Sequence, residues 1–258
     1  MGVVNVTPDS FSDGGRFEDA EAALVHAHRL IEEGADILDV GGESTRPGAA
    51  AVPVEEELRR VLPVVRQLRD VPVSVDTRRP EVMRAALDLG ASMINDVEAL
   101  AAPGATDEVA SSECAVCLMH KKGDPATMQR DPHYDDVVGE VFSFLQERMS
   151  AAMRAGIGQD RIVLDPGFGF GKTLQHNMTL LRNLEQLKRL GAPILAGWSR
   201  KSSLGKITGR PVLTNEGERL PASLAMALLS LQRGATILRV HDVKETKDVV
   251  EVWKAFKQ

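Results

Sequence analysis

The sequence predicts an α/β fold, a single (β/α)8 or TIM barrel that spans residues 1–258. Eight short apolar runs alternate with stretches of helical periodicity, and nearly every run ends in a polar side chain. These polar ends are Asn5, Asp39, Asp76, Asn95, Asp165, Ser199 and Arg239. In a barrel they converge on one mouth, whereas in a doubly wound sheet, which also alternates, they spread along an edge. We therefore expect a barrel with its active site at the carboxyl ends of the strands.

The eight predicted strands are short and rich in Val, Ile and Leu, as buried parallel strands are. They cover residues 2–6, 37–40, 73–76, 93–96, 116–120, 162–165, 194–199 and 237–241. Apolar residues recur at helical spacing between them, for example over residues 20–31 and from Val54 onward. Pro80 lies near the start of the third helix, where proline is favoured, and the last helix is expected to reach Phe256.

Four Gly-Ala pairs mark the point where a predicted helix gives way to a predicted strand. They are Gly34-Ala35, Gly90-Ala91, Gly191-Ala192 and Gly234-Ala235. Glycine is favoured just after a helix because it adopts the left-handed conformation without strain. The recurrence indicates a repeated βα unit whose helix ends in glycine.

The segment Asp165-Pro-Gly-Phe-Gly-Phe-Gly-Lys172 directly follows the sixth predicted strand. Its glycines allow the backbone to approach a ligand closely, so we interpret the segment as a binding loop. A strand-ending turn with a solvated Asp is the alternative interpretation. Neither nucleotide-binding glycine motif is present, because the phosphate loop requires Gly where Pro166 stands and the dinucleotide loop requires a different glycine spacing.

Composition excludes some classes of function. A net charge of −6 without a basic stripe argues against nucleic acid as a partner. No apolar run approaches the length of a membrane span and no signal-peptide pattern is seen, so a cytosolic location is expected. Cys114 and Cys117 lie three residues apart on a predicted strand and should face opposite sides. We therefore expect two reduced, structural thiols, not a redox or zinc site.

Two kinds of chemistry are available at the predicted mouth. Asp76, Asn95 and Asp165 could bind a flat heterocycle with several N–H groups, because a carboxylate facing adjacent donors forms charge-assisted bonds of about 1.5–3 kcal/mol each. Positively charged side chains and His241 could hold phosphate oxygens, and Asn5 could offer an oxygen to Mg²⁺. Taken singly, each of these residues could equally be a cap at a strand end.

Several motifs together resemble the dihydropteroate synthases, the sulfonamide targets of folate synthesis. The most specific are Asn5-Val-Thr-Pro-Asp-Ser-Phe-Ser-Asp-Gly-Gly15, Gly41-Gly-Glu-Ser-Thr-Arg-Pro-Gly48 and the loop that starts at Asp165. Shorter matches are Val75-Asp-Thr77, Ile94-Asn-Asp96, Cys117-Leu-Met-His120, Ser199-Arg-Lys-Ser202 and Arg239-Val-His-Asp-Val243. The resemblance runs from the first residue to about the last helix, although members usually have a short segment before the first barrel strand.

The resemblance implies condensation of p-aminobenzoate with 6-hydroxymethyl-7,8-dihydropterin diphosphate. It implies a pterin site formed by Asp76, Asn95, Met119, Asp165, Phe170, Gly197 and Lys201. It assigns diphosphate to Thr45, Arg46, Arg239 and His241, aminobenzoate to Phe11, Pro47 and Ser202, and Mg²⁺ to Asn5. Lys201, Arg239 and His241 are the expected catalytic residues, with Asp13 a candidate for contacting metal or amine.

The chemistry that the resemblance implies is a dissociative displacement. Electron release from the dihydropterin ring allows the methylene–oxygen bond to break ahead of attack, so the enzyme must mainly stabilise the departing diphosphate. The arylamine then needs no strong base. A pterin-binding methyltransferase and a catalytically silent pterin binder are the alternatives. The methyltransferase has no use for the Asn5 loop, Ser44-Thr-Arg-Pro47 or Ser199-Arg-Lys201. Joint retention of five residues argues against the silent binder: Asn5, Arg46, Lys201, Arg239 and His241.

Three residues depart from the family's pattern and are expected to affect the shape of the pterin slot. They are Trp198, where a smaller apolar residue is expected, and Lys121-Lys122, where neutral residues are common. The family also implies a homodimer formed through the late barrel helices, and residues 222–231 are apolar enough to allow it.

Overall fold

The structure is a computed structural model that describes residues 1–6, 16–44, 52–124, 127–210 and 216–257. Its strands are β1 Gly2–Asn5, β2 Leu38–Gly41, β3 Val73–Asp76, β4 Met93–Asp96, β5 Ala115–Met119, β6 Ile162–Asp165, β7 Leu195–Ala196 and β8 Ile237–Leu238. The first six form one parallel sheet in sequence order, and β7 pairs in parallel with β8.

Two parallel bridges join these sheets into a closed cylinder. Leu164 of β6 pairs with Ile194 just before β7, and Val240 just after β8 pairs with Gly2 of β1. Backbone hydrogen bonds support the second junction, since Val3 N donates to Val240 O at 3.0 Å and Val240 N donates to Met1 O at 3.0 Å. A doubly wound sheet would leave these edges unpaired, so the predicted (β/α)8 barrel is confirmed.

The last two strands are shorter than predicted. The expected 194–199 strand is reduced to Leu195–Ala196, because Lys201 N donates to Trp198 O and the chain turns at the barrel mouth. The expected 237–241 strand is reduced to Ile237–Leu238, and beyond it Val240 pairs with Gly2 of β1 as a single bridge. β3 and β4 match their predicted ranges at both ends.

Helices cover the outside of the strands. They are α1 Arg16–Glu32, α2 Val54–Gln67, α3 Pro80–Asp88, α4 Ala105–Ala110, α5 Val137–Arg154, α6 Leu174–Arg182, α7 Ser202–Ile207, α8 Leu220–Gln232 and α9 Val243–Lys257. The glycines of the four Gly-Ala junctions all have φ between +73° and +99°, which confirms that they end helical segments in the left-handed conformation. Within the described parts of the chain, no helix combines the length and apolarity that crossing a membrane requires.

Alternate residues of the strands separate two hydrophobic cores. Val4, Val40 and Val75 pack outward against the helices, whereas Met93, Cys117 and Leu195 pack together inside the barrel. The two cysteines follow the same rule, since Cys114 belongs to the outer core and Cys117 to the inner one. Both are free thiols, as predicted. The inward-facing residues nearest the carboxyl ends of the strands are polar, and they form the candidate site.

Candidate active site

The alternation that builds the inner core also places the predicted polar side chains at one mouth. Asp76 lies beside Asn95 in the β3–β4 ladder, and Met119 lies beside Asp165 in the β5–β6 ladder. Asn95 is 5% exposed and Asp165 is 7% exposed. These strand-end residues are brought together as predicted, and we refer to Asp39, Asp76, Asn95 and Arg239 as the floor.

The floor is one connected hydrogen-bond network. Arg239 donates from Nε to Asp39 Oδ2 at 2.6 Å and from Nη2 to Asp76 Oδ2 at 2.9 Å. Asn95 Nδ2 donates to the same Asp39 oxygen at 3.2 Å. Asp39 is fully buried, and sequence reasoning identified it only as a polar strand end, without a role in the site. Its function in the structure is to fix Arg239 from below.

Burial makes the charges of the floor strongly interdependent. It raises the pKa of Asp76 to about 7, although the positive charge of Arg239 opposes the shift. Burial by itself lowers the pKa of Arg239. The negative charges of Asp39 and Asp76 together have the larger opposite effect, so the pKa of the guanidinium is raised. Arg239 is therefore a permanent cation between two carboxylates, one of which titrates near neutral pH.

Asp165 and Lys201 lie next to the floor. Gly167 N donates to Asp165 Oδ1 at 2.7 Å, and burial raises the pKa of this carboxyl. Burial also lowers the pKa of Lys201 to about 8, and the charge of Asp165 opposes that shift. The Lys201 ammonium donates to the Phe168 carbonyl and lies 4.5 Å from the centre of the Phe170 ring. The predicted pterin residues Asp165, Phe170 and Lys201 therefore form one unit.

The glycines of the segment 165–172, which we call the glycine loop, serve a purpose that differs from the predicted one. A Cβ on Gly167 would overlap the His120 carbonyl oxygen, and one on Gly171 would overlap the Lys122 carbonyl oxygen. Both glycines also have positive φ, near +66° and +62°. The close approach that requires glycine is thus to the chain's own segment after β5. Sequence reasoning had expected an approach to a ligand.

Gly197 leaves space inside the mouth. A Cβ at this position would lie 3.9 Å from the Cβ of Arg239, an ordinary van der Waals distance, so packing within the described structure does not demand glycine there. A side chain would nevertheless project beside Arg239 into the barrel. The predicted role of Gly197 in lining the pterin slot is consistent with this open position.

His241 and Ser202 occupy the rim formed by the chain after β7 and β8. The Ser199 hydroxyl accepts a hydrogen bond from His241 N at 3.1 Å and is bonded to His241 Nδ1 at 3.0 Å, which fixes the imidazole. Arg200, between Ser199 and Lys201, is paired with Asp242 at 2.7 Å. Ser202 is exposed at the first position of α7.

The unusual residues lie behind the site. Trp198 is 2% exposed and belongs to the outer core, where its ring stacks on Phe168 with centroids 4.5 Å apart. Lys121 pairs with Glu98 at 2.8 Å, and Lys122 pairs with Glu140 at 2.9 Å. The Trp198 ring therefore contacts the slot through Phe168, and both lysines are engaged by neighbouring carboxylates.

Five predicted site residues lie outside the described parts of the chain: Phe11, Asp13, Thr45, Arg46 and Pro47. The described flanks of the second segment are joined to each other. Val52 N donates to Glu43 Oε1 at 3.0 Å, and Arg79 binds the same oxygen at 3.1 Å and Glu57 at 3.0 Å. The described residues on either side of this gap, Glu43 and Val52, are therefore joined to each other and to Arg79.

Asn5 is the described residue with the predicted metal role. It is half-buried at the end of β1, next to Gly41, and its side chain makes no hydrogen bond to the described residues. Those residues contain no group of three His, Cys, Asp or Glu arranged to hold a metal. A single amide oxygen suits Mg²⁺, which retains most of its waters and takes its other ligands from substrate phosphates. The donor set therefore fits Mg²⁺ bound together with a diphosphate.

Fold and site together define a class of protein: a barrel enzyme that binds a flat, nitrogen-rich ring carrying an anionic group. Residues 1–241 match the family described as pterin binding enzyme. A dihydropteroate synthase of Neisseria meningitidis serogroup B is 52% identical over 99% of this chain and 91% of its own length. The chain belongs to the pterin-binding enzymes and, within them, to the dihydropteroate synthases.

Solved structures agree with this assignment. A Xanthomonas albilineans dihydropteroate synthase with 4-aminobenzoic acid has a TM-score of 0.93 and 57% identity, covering 100% of this chain and 92% of that chain. A second structure from that organism, in complex with 7,8-dihydropteroate, has a TM-score of 0.90 and 54% identity with the same coverage.

Proposed function

We infer that this chain condenses p-aminobenzoate with 6-hydroxymethyl-7,8-dihydropterin diphosphate to give 7,8-dihydropteroate and diphosphate. The observation that carries this inference is the buried floor with Asp165 and Lys201 beside it, at one barrel mouth. The relatives bound to 4-aminobenzoic acid and to 7,8-dihydropteroate support it.

The pterin ring is the substrate part that the described residues suit best. Asp165 faces the amino-pyrimidine edge in this proposal, with Asn95 and Asp76 beside it and Lys201 at the ring carbonyl. Gly167 N fixes the Asp165 carboxylate before substrate binds. Preorganisation of this kind strengthens binding because the Asp165 side chain does not have to be ordered when the substrate binds.

The diphosphate belongs on the Arg239 side of the mouth. The floor uses Nε and Nη2 of Arg239, and Nη1 makes no hydrogen bond to the described residues, so it can donate to a phosphate oxygen. His241, oriented by Ser199, is the second proposed diphosphate ligand, with Thr45 and Arg46. When bound by Asn5 and the diphosphate, Mg²⁺ would supply further positive charge against the leaving group.

The reaction needs charge stabilisation more than proton transfer. As the methylene–oxygen bond breaks, negative charge grows on the diphosphate, and the Arg239 guanidinium, already fixed by Asp39 and Asp76, stabilises that charge. The arylamine then attacks the methylene carbon and loses a proton that is already acidic. We therefore assign no general base. Exclusion of water from the mouth would protect the cationic centre from hydrolysis.

Calorimetry and turnover test this function directly. The chain is titrated with the dihydropterin diphosphate and with p-aminobenzoate, with and without Mg²⁺, and the formation of dihydropteroate and diphosphate is followed. We expect turnover that requires both substrates and is lost when the metal is chelated. Pterin binding without turnover would leave a silent binder, and methyl transfer from a methylated folate to a corrinoid would indicate the methyltransferase class.

We also propose that the chain forms a homodimer through its last helices. Large apolar side chains remain exposed there: Ile207 of α7, Leu229 of α8, and Val252 and Phe256 of α9. Exposed apolar groups on neighbouring helices are typical of an interaction surface. Analytical ultracentrifugation of the wild type and of Leu229→Glu tests the proposal. We expect a dimer for the wild type and a monomer for the variant, and a monomeric wild type would contradict the proposal.

A further inference from the structure

The glycine loop presents its backbone carbonyls to side chains from other parts of the chain. Each carbonyl from Gly167 to Gly171 accepts a side-chain hydrogen bond, and the donors are Lys172 for Gly167 and Phe170, Lys201 for Phe168, Gln129 for Gly169 and Tyr134 for Gly171. The conformation of this loop is therefore set by side chains, in contrast to a strand, whose backbone is held by its neighbours.

Lys172 is the only one of these donors that binds two loop carbonyls, among the contacts of the described residues. Its Nζ lies 2.9 Å from Gly167 O, 3.0 Å from Phe170 O and 2.9 Å from His120 Nδ1. Lys172 is 2% exposed, and among the described residues the carboxylate that acts on its charge, Asp165, forms no ion-pair contact with it. A buried amine without such a partner is expensive to maintain, which points to a function for its position.

Either protonation state of Lys172 can hold the two carbonyls. An ammonium has three N–H donors for two carbonyls and the His120 nitrogen. A neutral amine has two donors for the carbonyls and a lone pair that can accept from the other tautomer of His120. Burial lowers the pKa of Lys172 well below its usual value and the pKa of His120 to about 3, so the imidazole is neutral in both arrangements.

The two carbonyls belong to Gly167 and Phe170, and both residues contact side chains proposed to bind the pterin. Gly167 supplies the N–H that orients Asp165, and Phe170 lies over Lys201. Phe170 N also donates to Gly167 O at 3.1 Å. The turn is therefore closed both by its own backbone hydrogen bond and by the Lys172 side chain. We propose that Lys172 is a positioning residue. It holds the Gly167–Phe170 turn and so places Asp165 and Phe170 against the pterin, but Lys172 does not itself contact the pterin. This inference rests on the proposed function.

Lys172→Met tests the proposal because it keeps the length of the side chain and removes every donor. We expect the KM for the pterin diphosphate to rise at least tenfold, while kcat changes less than threefold and the KM for p-aminobenzoate less than twofold. Lys247→Met is the matched control, since it removes a hydrogen-bonded ammonium whose partner, Asp36, precedes β2 at the opposite end of the barrel from the mouth. All its constants should stay within twofold of wild type.

Two further measurements distinguish positioning from a general role in stability. Lys172→Gln retains an N–H₂ group, so its KM for the pterin diphosphate should stay within threefold of the wild-type value. The cavity that it leaves is no smaller than that of Lys172→Met, so a smaller cavity cannot explain the recovery. In a Trp253→Phe background, the emission of Trp198, which stacks on Phe168, should change in Lys172→Met and not in Lys247→Met.

The outcomes separate the two levels of inference. A wild-type chain without turnover contradicts the proposed function and not the role of Lys172 in the loop, which direct titration with the pterin still tests. An active wild type whose Lys172→Met variant has a lower melting temperature but unchanged constants contradicts the positioning role. If Lys172→Met does not fold, Lys172→Leu replaces it as the variant without donors, and a wild-type KM for the pterin diphosphate together with unchanged Trp198 emission in that variant would count against the proposal.

Discussion

The floor and the glycine loop meet at one mouth but are held in place by different means. Asp39, Asp76 and Asn95 of the floor lie on strands and Arg239 directly follows β8, so the parallel ladder fixes their backbone whatever the side chains do. The glycine loop has no ladder, and its carbonyls depend on donors such as Lys172 and Tyr134. The comparison indicates that changes in the floor should alter charge and stability. Changes behind the loop should alter the position of groups that bind the ring.

The largest effect should come from removing the cation of the floor. Arg239→Met leaves Asp39 and Asp76 buried without their shared partner, and loss of one member of such a group costs about 3–5 kcal/mol. Urea unfolding should show this loss, and turnover should fall below detection because the diphosphate also loses a ligand.

Arg84→Met is the control for the Arg239 variant. Arg84 is also paired with a carboxylate, Glu108, but its side chain is 68% exposed, and exposed pairs contribute little to stability because water screens them. Equal destabilisation of the two variants would contradict the distinction between a buried charge network and surface pairs.

Asp165→Asn should separate binding from stability at the junction of floor and loop. The amide retains an oxygen for Gly167 N, and the buried charge is removed, so stability to urea should be unchanged or increased. Pterin affinity should nevertheless fall more than tenfold, since a charge-assisted bond to the ring is weakened. Titration calorimetry measures the affinity, and wild-type binding would refute the assigned role.

The pH dependence of kcat/KM should have one limb from Asp76 of the floor and one from Lys201, which donates to the glycine loop. As pH falls below about 7, Asp76 gains a proton and loses the charge that holds Arg239, so the rate should decrease. As pH rises above about 8, Lys201 loses its charge beside the ring, and the rate should decrease again. Asp76→Asn should remove the acidic limb and Lys201→Arg the basic one, because arginine does not deprotonate. An unchanged profile in either variant would reassign that limb to the substrates.

The sequence predicted the floor better than the loop for a physical reason. Strand alternation is local information, so Asp76, Asn95 and Asp165 could be assigned to the mouth from the order of residues alone. The bond between Asp39 and Arg239 joins positions 200 residues apart, and no local pattern encodes it. The same is true of Lys172, whose ring partner His120 lies 52 residues away.

Some expectations failed because a local pattern was extended too far. The apolar run 194–199 continues the composition of a strand, but its second half turns at Trp198, whose ring packs outward. The glycines at 167 and 171 indicated a close approach, as found, but composition could not identify the approaching group. The roles of the residues outside the described ranges, among them Arg46 and Phe11, stay predictions.

The smallest effect should come from Tyr134→Phe, which removes a single donor behind the glycine loop. The buried Tyr134 hydroxyl donates to Gly171 O at 2.9 Å, and loss of one such bond costs about 1 kcal/mol. The KM for the pterin diphosphate should rise two- to threefold with kcat unchanged, because Lys172 still holds the rest of the turn.

Ser112→Ala supplies the control for this last variant. The Ser112 hydroxyl also donates to a carbonyl, that of Val109 at 2.9 Å, and it accepts a weaker bond from Cys114 N at 3.3 Å. Ser112 precedes β5 and so lies at the opposite end of the barrel from the mouth. Both variants should lower the free energy of unfolding by about the same amount. Only Tyr134→Phe should change the KM, because only its carbonyl belongs to the segment that presents Asp165 and Phe170. An equal change in both would mean that the loop responds to global stability, and the distinction from the floor would fail.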